Sequence, residues 1–390
     1  MRSISTSIGL YKVILLGLLA CLFLIFAKQS FASTTASLLP VSDGNYTQWN
    51  PKSGASHFAM VDEASCNGNT DFNRETTVGQ RDSYDLDISS VPNGATITQI
   101  DITPCASKNT SGGTNTTFNV FYRLDGVDSA DAGAYALTTT TPAGLSTTSY
   151  SGLSASKSGS TTLEVGGVFT AGNRGVKLSQ VATVITYSLP PTVTTNGASG
   201  ITQTAASLSA TINPNGLSTT ANYRYDTSNV VCSSLSNVTS DTNVGSGTTG
   251  VSNPQAIASL SANTTYYFCA TATNSVGTTY GSVLSFTTLP LLPTVTTDPA
   301  VSITSNSATL RSTINAHGVT SGFRFRYGTS NVACSSLPNT TTLTNLSVST
   351  DTSYQAFPSG LASGTTYYFC ITGSNAAGTA YGSVLNFLTL

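Results

Sequence analysis

The sequence predicts an all-β chain made of three sandwiches in a row, and three observations carry that prediction. Apolar residues recur at every second position, as in Phe118, Val120, Tyr122 and Leu124 or in Leu208, Ala210 and Ile212, which is the period of a strand with one buried face. Turn residues interrupt these runs about every ten positions, the spacing of short antiparallel strands. One stretch is also written twice, as TTYYFCATATNSVGTTYGSVLSFTT from Thr264 and as TTYYFCITGSNAAGTAYGSVLNFLT from Thr365.

The 390 residues suffice for several small cores, with 39% hydrophobic side chains. Charged residues make up only 8%, against roughly 25% in an average soluble protein. Ser, Thr, Asn and Gly take the surface positions that Lys and Glu usually fill, which suits a secreted β-protein.

The first element is an export signal, residues 1–32. Arg2 and Lys12 precede an uncharged apolar run from Val13 to Ala27, and Ser30-Phe31-Ala32 is a small-x-small cleavage site. That run is short for a membrane-spanning helix, which needs about 20 residues. An uncleaved anchor is one alternative. Leu18-Leu19-Ala20-Cys21 as a lipoprotein box is another, although Leu22 to Phe26 continues apolar where a lipoprotein turns polar. Beyond residue 32 the chain carries twelve basic and seventeen acidic side chains, a formal −5. This disfavours nucleic acid and anionic lipid, which need clustered Lys and Arg.

The repeat defines two further elements, residues 190–289 and 290–390. Placing Pro191-Thr192-Val193-Thr194-Thr195 on Pro293-Thr294-Val295-Thr296-Thr297 sets an offset of 102, which carries Leu208 onto Leu310, Ile212 onto Ile314 and Cys232 onto Cys334. One deletion later the offset is 101, and Cys269 falls on Cys370. Prolines at Leu189-Pro190-Pro191 and Leu289-Pro290-Leu291-Leu292-Pro293 end a strand and stiffen a short linker. Tyr266, Phe268, Ala270 and Ala272 share one strand face, leaving Tyr267, Cys269 and Thr271 on the other.

Leu260-x-x-x-Thr264-x-Tyr266, then Ala270-x-Ala272-x-Asn274, Gly277 and Ser285-Phe286-Thr287-Thr288, resembles the second half of a fibronectin type III domain. Leu361, Thr365, Tyr367, Asn375, Gly378 and Phe387 repeat it. The resemblance implies a seven-stranded sandwich and makes Tyr266 and Tyr367 tyrosine corners, whose phenols bond to the backbone upstream. Ala210-Thr211-Ile212-Asn213-Pro214-Asn215-Gly216, with Tyr225 and Thr227-Ser228 following, is similar to a version common in exported bacterial proteins. The tryptophan usual on the second strand is absent, with Ile212 or Ile314 in its place.

The unrepeated element, residues 33–189, also reads as β. Pro92-Asn93-Gly94 turns into Ile97, Ile100 and Ile102, and Val181, Thr183, Ile185 and Tyr187 close it. Tyr46-x-x-Trp49-x-Pro51, His57, Val61-Asp62-Glu63 and Gly79-x-x-Asp82-x-Tyr84 resemble the start of a jelly-roll-like sandwich of exported and phage-associated proteins, which implies a fold more than an activity.

Six cysteines remain beyond the signal, and each element carries its own pair. Modules that fold alone should close their own bridges, so Cys66 with Cys105, Cys232 with Cys269 and Cys334 with Cys370 are expected. Export makes oxidation favourable. The last two bridges are expected outside one sheet, opposite the aromatic stripe. With two histidines and no C-x-x-C spacing, a zinc cluster is not expected.

Chemistry-bearing residues are sparse. His317 stands in a turn where the other copy has Asn215. His57 lies near Asp62 and Glu63, but no nucleophile elbow, metalloprotease motif or phosphate loop accompanies it. Asp62 and Glu63 are adjacent, so on a strand they would point to opposite faces, and Asp71, Asp82, Asp85 and Asp87 are polar surface positions or, alternatively, calcium ligands. Trp49 and Tyr46, with Asp62 and Glu63, are the candidate ligand face, Trp49 acting as a sugar-stacking platform or closing the core. Arg311, Arg324 and Arg326 form a basic strip or a solvated face.

These readings lead to a non-enzymatic exported bacterial protein, extracellular or at the cell surface, without cofactor or metal. Its expected role is structural, spacing or adhesive, with loop tips such as 213–222 and 274–280 as binding positions. The expected partners are an extracellular glycan or a surface protein, with no nucleic acid and, once the signal is cleaved, no membrane. The alternative is a carbohydrate-binding or accessory module of a polysaccharide-processing system. A hydrolase would require Asp62 or Glu63 to face a second acid across a cleft of about 5–9.5 Å.

Overall fold

The computed structural model describes residues 32–52, 56–66, 71–113 and 116–390. The expected export signal, residues 1–32, therefore lies outside the described residues, apart from Ala32. Among the described residues no helix is long and apolar enough to cross a membrane. The chain is all-β, and its longer strands are antiparallel throughout.

The N-terminal sandwich uses β1 (Pro40–Thr47), β2 (Asn73–Glu75), β3 (Arg81–Leu86), β4 (Thr96–Lys108), β5 (Thr116–Leu124), β6 (Ala132–Leu137), β7 (Thr148–Ser156), β8 (Leu163–Ala171) and β9 (Val176–Ser188). One sheet runs β2-β9-β4-β7 and the other β3-β8-β5-β6, with β1 added beside β3. Successive strands pass from sheet to sheet except at the β5–β6 hairpin, which is jelly-roll topology. Phe118 and Val120 of β5, Val165 and Phe169 of β8, and Ile97, Ile100 and Ile102 of β4 face one another between the sheets. The three-residue step from Ile97 to Ile100 breaks the period of two. The β4–β9 register shifts there, Gln99 opposing Thr186 and Ile97 opposing Tyr187, so Thr98 is a bulge that returns Ile97 to the core.

The first repeat runs β10 (Thr192–Ser199), β11 (Ala206–Asn213), β12 (Thr219–Asp226), β13 (Thr242–Gly245), β14 (Gln255–Ile257), β15 (Thr265–Thr273), β16 (Thr278–Tyr280) and β17 (Leu284–Thr287). One sheet is β10-β11-β14, and the other has β12 between β13 and β15, with β16 and β17 both on β15. If β16 and β17 count as one interrupted strand, this is the seven-stranded, three-plus-four arrangement of a fibronectin type III-like sandwich. The second repeat has the same order, Thr294–Val301 to Thr309–Asn315 to Thr352–Ala356 against Ser321–Gly328 and Thr366–Asn375. Ile212 and Ile314 are both buried in the cores of their repeats.

Both tyrosine corners are closed. The backbone N–H of Ser261 donates to the Tyr266 hydroxyl and that of Ala362 to the Tyr367 hydroxyl, each at 3.0 Å. Each ring stacks on the last strand, Tyr266 on Phe286 and Tyr367 on Phe387, with centroids 5.8 Å apart.

The three disulfides join Cys66 to Cys105, Cys232 to Cys269 and Cys334 to Cys370, with Cα atoms 5.6, 5.8 and 5.9 Å apart. In the repeats the bridge lies on the sheet face away from the main core, but it is neither exposed nor strand to strand. Cys232 sits in a 3₁₀ turn, Cys232–Ser234, that folds back over β15, and Cys232, Leu235 and Cys269 form a small second core with Tyr267 and Val283. Arg224 holds the turn down, Nη1 donating to the carbonyls of Ser233 and Leu235 at 3.3 Å, and Arg326 does the same with Ser335 and Leu337 at 3.2 Å. Arg326 is thus a clamp and not part of a solvated strip. Its packing role depends on a crossover that strand alternation does not describe.

Candidate functional site

The residues expected to share one ligand face are in three different places. Trp49 is 2% exposed, inside the jelly-roll core, its Nε1 donating to the Gln80 carbonyl at 3.0 Å. A ring with no open face cannot stack on a sugar, so the platform reading of Trp49 is corrected to a core role. Asp62 is exposed and bridges Gln180 of β9, beside the other sheet. The Glu63 carbonyl accepts from Gln180 Nε2 at 2.7 Å.

Tyr46 lies on the outer face of the β3-β8-β5-β6 sheet, in a bulged part of β1 where the register slips between Asp43 and Thr47. This segment works as a strap. The N–H of Asn45 donates to Glu164 Oε2 at 2.7 Å, and that of Tyr46 donates to Ser83 Oγ at 3.0 Å. The Tyr46 hydroxyl donates to Asp128 at 2.8 Å, which raises the phenol above its usual value. Its ring meets Phe121 edge to face, with Arg81 and Arg123 guanidinium groups 5.9 and 5.8 Å from its centroid. Arg81 pairs with Asp131 and Arg123 with Asp128, both at 2.7 Å. The hydrogen bonds to Tyr46 and Arg123 hold the Asp128 carboxyl below its usual range against the opposing effect of burial. Tyr46 is therefore engaged within the fold and is not a free ligand contact.

A buried polar cluster unites Asn73 of β2 with Asp82 and Tyr84 of β3 and with His57 from the preceding loop. Asn73, Asp82 and Tyr84 have no exposed surface. Asp82 Oδ2 accepts from Asn73 Nδ2 at 2.9 Å and from the Tyr84 hydroxyl at 2.8 Å, and His57 Nδ1 lies 2.9 Å from Asp82 Oδ1. Asn73 Nδ2 also donates to the His57 carbonyl at 2.8 Å. Burial pushes the Asp82 carboxyl up to about 6, partly offset by His57 and Tyr84. The carboxylate orients the imidazole, as it does in catalytic and metal-bound histidines. Among the described residues, however, no hydroxyl or thiol bonds to His57, and no three His, Cys, Asp or Glu side chains gather to hold a metal ion. The arrangement pins the loop ahead of β2 to the sheet. The spacing His57…Asn73…Asp82-x-Tyr84 gave no signal for it, because three segments meet only in the fold.

The repeats hold turns and linkers where open loop tips were expected. His317 and Asn215 occupy the same left-handed turn position, φ 51° and 54°, with their N–H groups bonded to Asn315 and Asn213 side chains. Asn274 is buried, its Nδ2 donating to the Leu189 carbonyl of the incoming linker at 2.9 Å, and Asn215 Nδ2 reaches the Pro190 carbonyl at 2.6 Å. Residues 219–226 are the strand β12. Asn215 and Asn274 are thus tied to the linker, whereas Tyr280, at the end of the second stretch, stays 45% exposed.

No protein-family model matches the chain, and no curated protein does. Among solved structures, a sensor domain of the anti-sigma factor RsgI4 in Pseudobacteroides cellulosolvens is 26% identical, over 26% of this chain and 97% of that one, with a TM-score of 0.21. The chicken CNTN1 FN1–FN3 domains are 12% identical over 82% of this chain and 97% of that one, at a TM-score of 0.24. A two-domain fibronectin type III segment from chicken tenascin is 14% identical over 51% and 97%, at 0.25. At these scores the likenesses carry no functional argument. The sandwich topology stands on the strand order and register above.

Proposed function

We propose that this chain is a non-enzymatic exported protein, extracellular or at the cell surface, in which two fibronectin type III-like modules space or display the jelly-roll domain. The observation that carries the reading is a linker clamp built twice. Asn274 Nδ2 donates to the Leu189 carbonyl at 2.9 Å, and Asn375 Nδ2 donates to the Leu291 carbonyl at 2.7 Å. A proline-containing linker tied to the module it enters loses the freedom of a flexible tether and behaves as a stiff joint. A disulfide in each sandwich supports an oxidising, extracellular setting for a structural or adhesive role.

Small-angle scattering of the chain without its export signal tests the spacer. The expected result is an extended particle whose distance distribution broadens in the Asn274→Ala/Asn375→Ala double variant. A compact particle, or a profile that the double variant leaves unchanged, refutes the stiff joint. Release of reducing sugar from polysaccharides by the purified protein would refute the non-enzymatic reading.

A further inference from the structure

At the loop end of the jelly roll a pocket of about 530 Å³ opens between the β3–β4 loop and the β7–β8 loop, lined among others by Asp87, Ser89, Asn93, Lys157, Thr161 and Thr162. Its volume falls within the range of small-molecule sites, roughly 300–1,000 Å³. Lys157 is 7% exposed, a burial uncommon for lysine unless it is paired. An ammonium has three donors. One reaches the Ser158 carbonyl at 2.6 Å and a second reaches Asn93 Oδ1 only at 3.4 Å. The third has no acceptor among the described residues, and Lys157 enters no ion pair there. A buried cation without a counter-ion is costly, and an anionic ligand group would relieve that cost.

The walls are already ordered. The Lys157 N–H donates to the Ala95 carbonyl and the Gly94 N–H to the Lys157 carbonyl, each at 2.8 Å, and the Ser158 N–H donates to Thr161 Oγ1 at 2.9 Å. The acids on the lining narrow the ligand class. Asp87 is held ionised by the Ser89 N–H, and Asp85 accepts from Ser42 Oγ at 2.7 Å. Both repel a dianion such as phosphate but accept hydrogen bonds from neutral hydroxyls. Leu86, Ile88 and Val91 close the floor of the pocket as core side chains with at most 6% of their surface exposed, so recognition falls to the polar groups of its rim.

We propose that this pocket binds an acidic sugar, a uronic acid residue whose single carboxylate pairs with Lys157 and whose hydroxyls meet Asn93, Asp87 and the threonine hydroxyls. The assignment does not rest on the spacer role, and either can fail alone.

The test is ligand-observed NMR and calorimetric titration of the protein with galacturonate, glucuronate and their short oligomers. Glucose, galactose and inorganic phosphate are the controls. Uronates are expected to bind, with the neutral sugars and phosphate at least ten-fold weaker. Lys157→Met, which keeps the aliphatic stem, is expected to lose at least ten-fold in uronate affinity. Asp87→Asn, at an exposed position, removes the repulsion and keeps an amide oxygen that accepts from a hydroxyl, so it is expected to gain two-fold or more for uronates and less than that for neutral sugars, and the proposal stays open to refutation if Lys157→Met does not fold. No uronate binding, equal binding of neutral sugars or of phosphate, or unchanged uronate affinity in either variant overturns it.

Discussion

His57 Nδ1 lies 2.9 Å from one oxygen of Asp82 and 3.0 Å from the other, so the histidine of the jelly roll grips a carboxylate that has no exposed surface. Burial is the largest influence on that carboxyl and raises it from 3.8 to about 6. A raised value means that the protonated form favours the fold. The contribution is fully present below about 3.9, the unfolded value, and is lost as pH rises through about 6. The difference corresponds to about 3 kcal/mol. Asp82→Asn removes this titration, so the stability of the native chain minus that of the variant should fall between about pH 4 and about pH 6. Trp49, the only tryptophan, reports unfolding of this domain by fluorescence in urea. Parallel curves for the two proteins would show that Asp82 does not titrate there.

Gly44 is part of the strap, and an added Cβ there would stand 2.5 Å from both Glu164 Oε2 and Ser83 Oγ and 2.8 Å from the Ser83 carbonyl carbon. One of these atoms is backbone and cannot swing aside. Gly44→Ala should therefore destabilise the jelly roll by about 1–3 kcal/mol. An unchanged urea midpoint in Trp49 fluorescence would mean that the strap is loose.

Tyr266→Phe and Tyr367→Phe each strand a backbone N–H, of Ser261 or Ala362. Each should cost about 1 kcal/mol. Because the rings sit in separate cores, the two losses should add in the double variant to within about 0.5 kcal/mol. Calorimetry of the single and double variants measures this, and strong non-additivity would mean that the cores are coupled.

The Cys232–Cys269 bridge spans 37 residues, a loop for which the chain-entropy model gives about 4 kcal/mol. Replacing both cysteines with serine should cost up to that amount. The oxidised native protein should take up no maleimide on these cysteines until it is reduced and unfolded, since Cys269 has no exposed surface. Labelling of the untreated native protein would refute the pairing.

Much of the fold was legible in the sequence because its signals are local. Alternation at Tyr266, Phe268, Ala270 and Ala272 names a buried face, since successive residues of a strand must point to opposite sides. The duplicated TTYYFC stretch made each cysteine pair belong to one module, and the bridges follow that assignment. What the pattern could not show was what covers the other face. Cys269 and Cys370 point away from the core, yet they are buried, because a crossover turn held by Arg224 or Arg326 folds over them.

The unrepeated domain divides in the same way. Its β character, its Pro92-Asn93-Gly94 turn and its cysteine pair could be read from residues in order. The places of Trp49, Tyr46 and Asp62 could not, because a tryptophan's sequence neighbours do not say whether a second sheet closes over it. Nothing in the residues around Lys157 marks it out, and only the meeting of two loops buries it next to Asn93. The sequence by itself determined strand period, module count and bridge partners, which depend on short-range geometry and on each module folding alone. Tertiary structure decided which polar side chains lose water, because desolvation depends on segments far apart in the chain coming together.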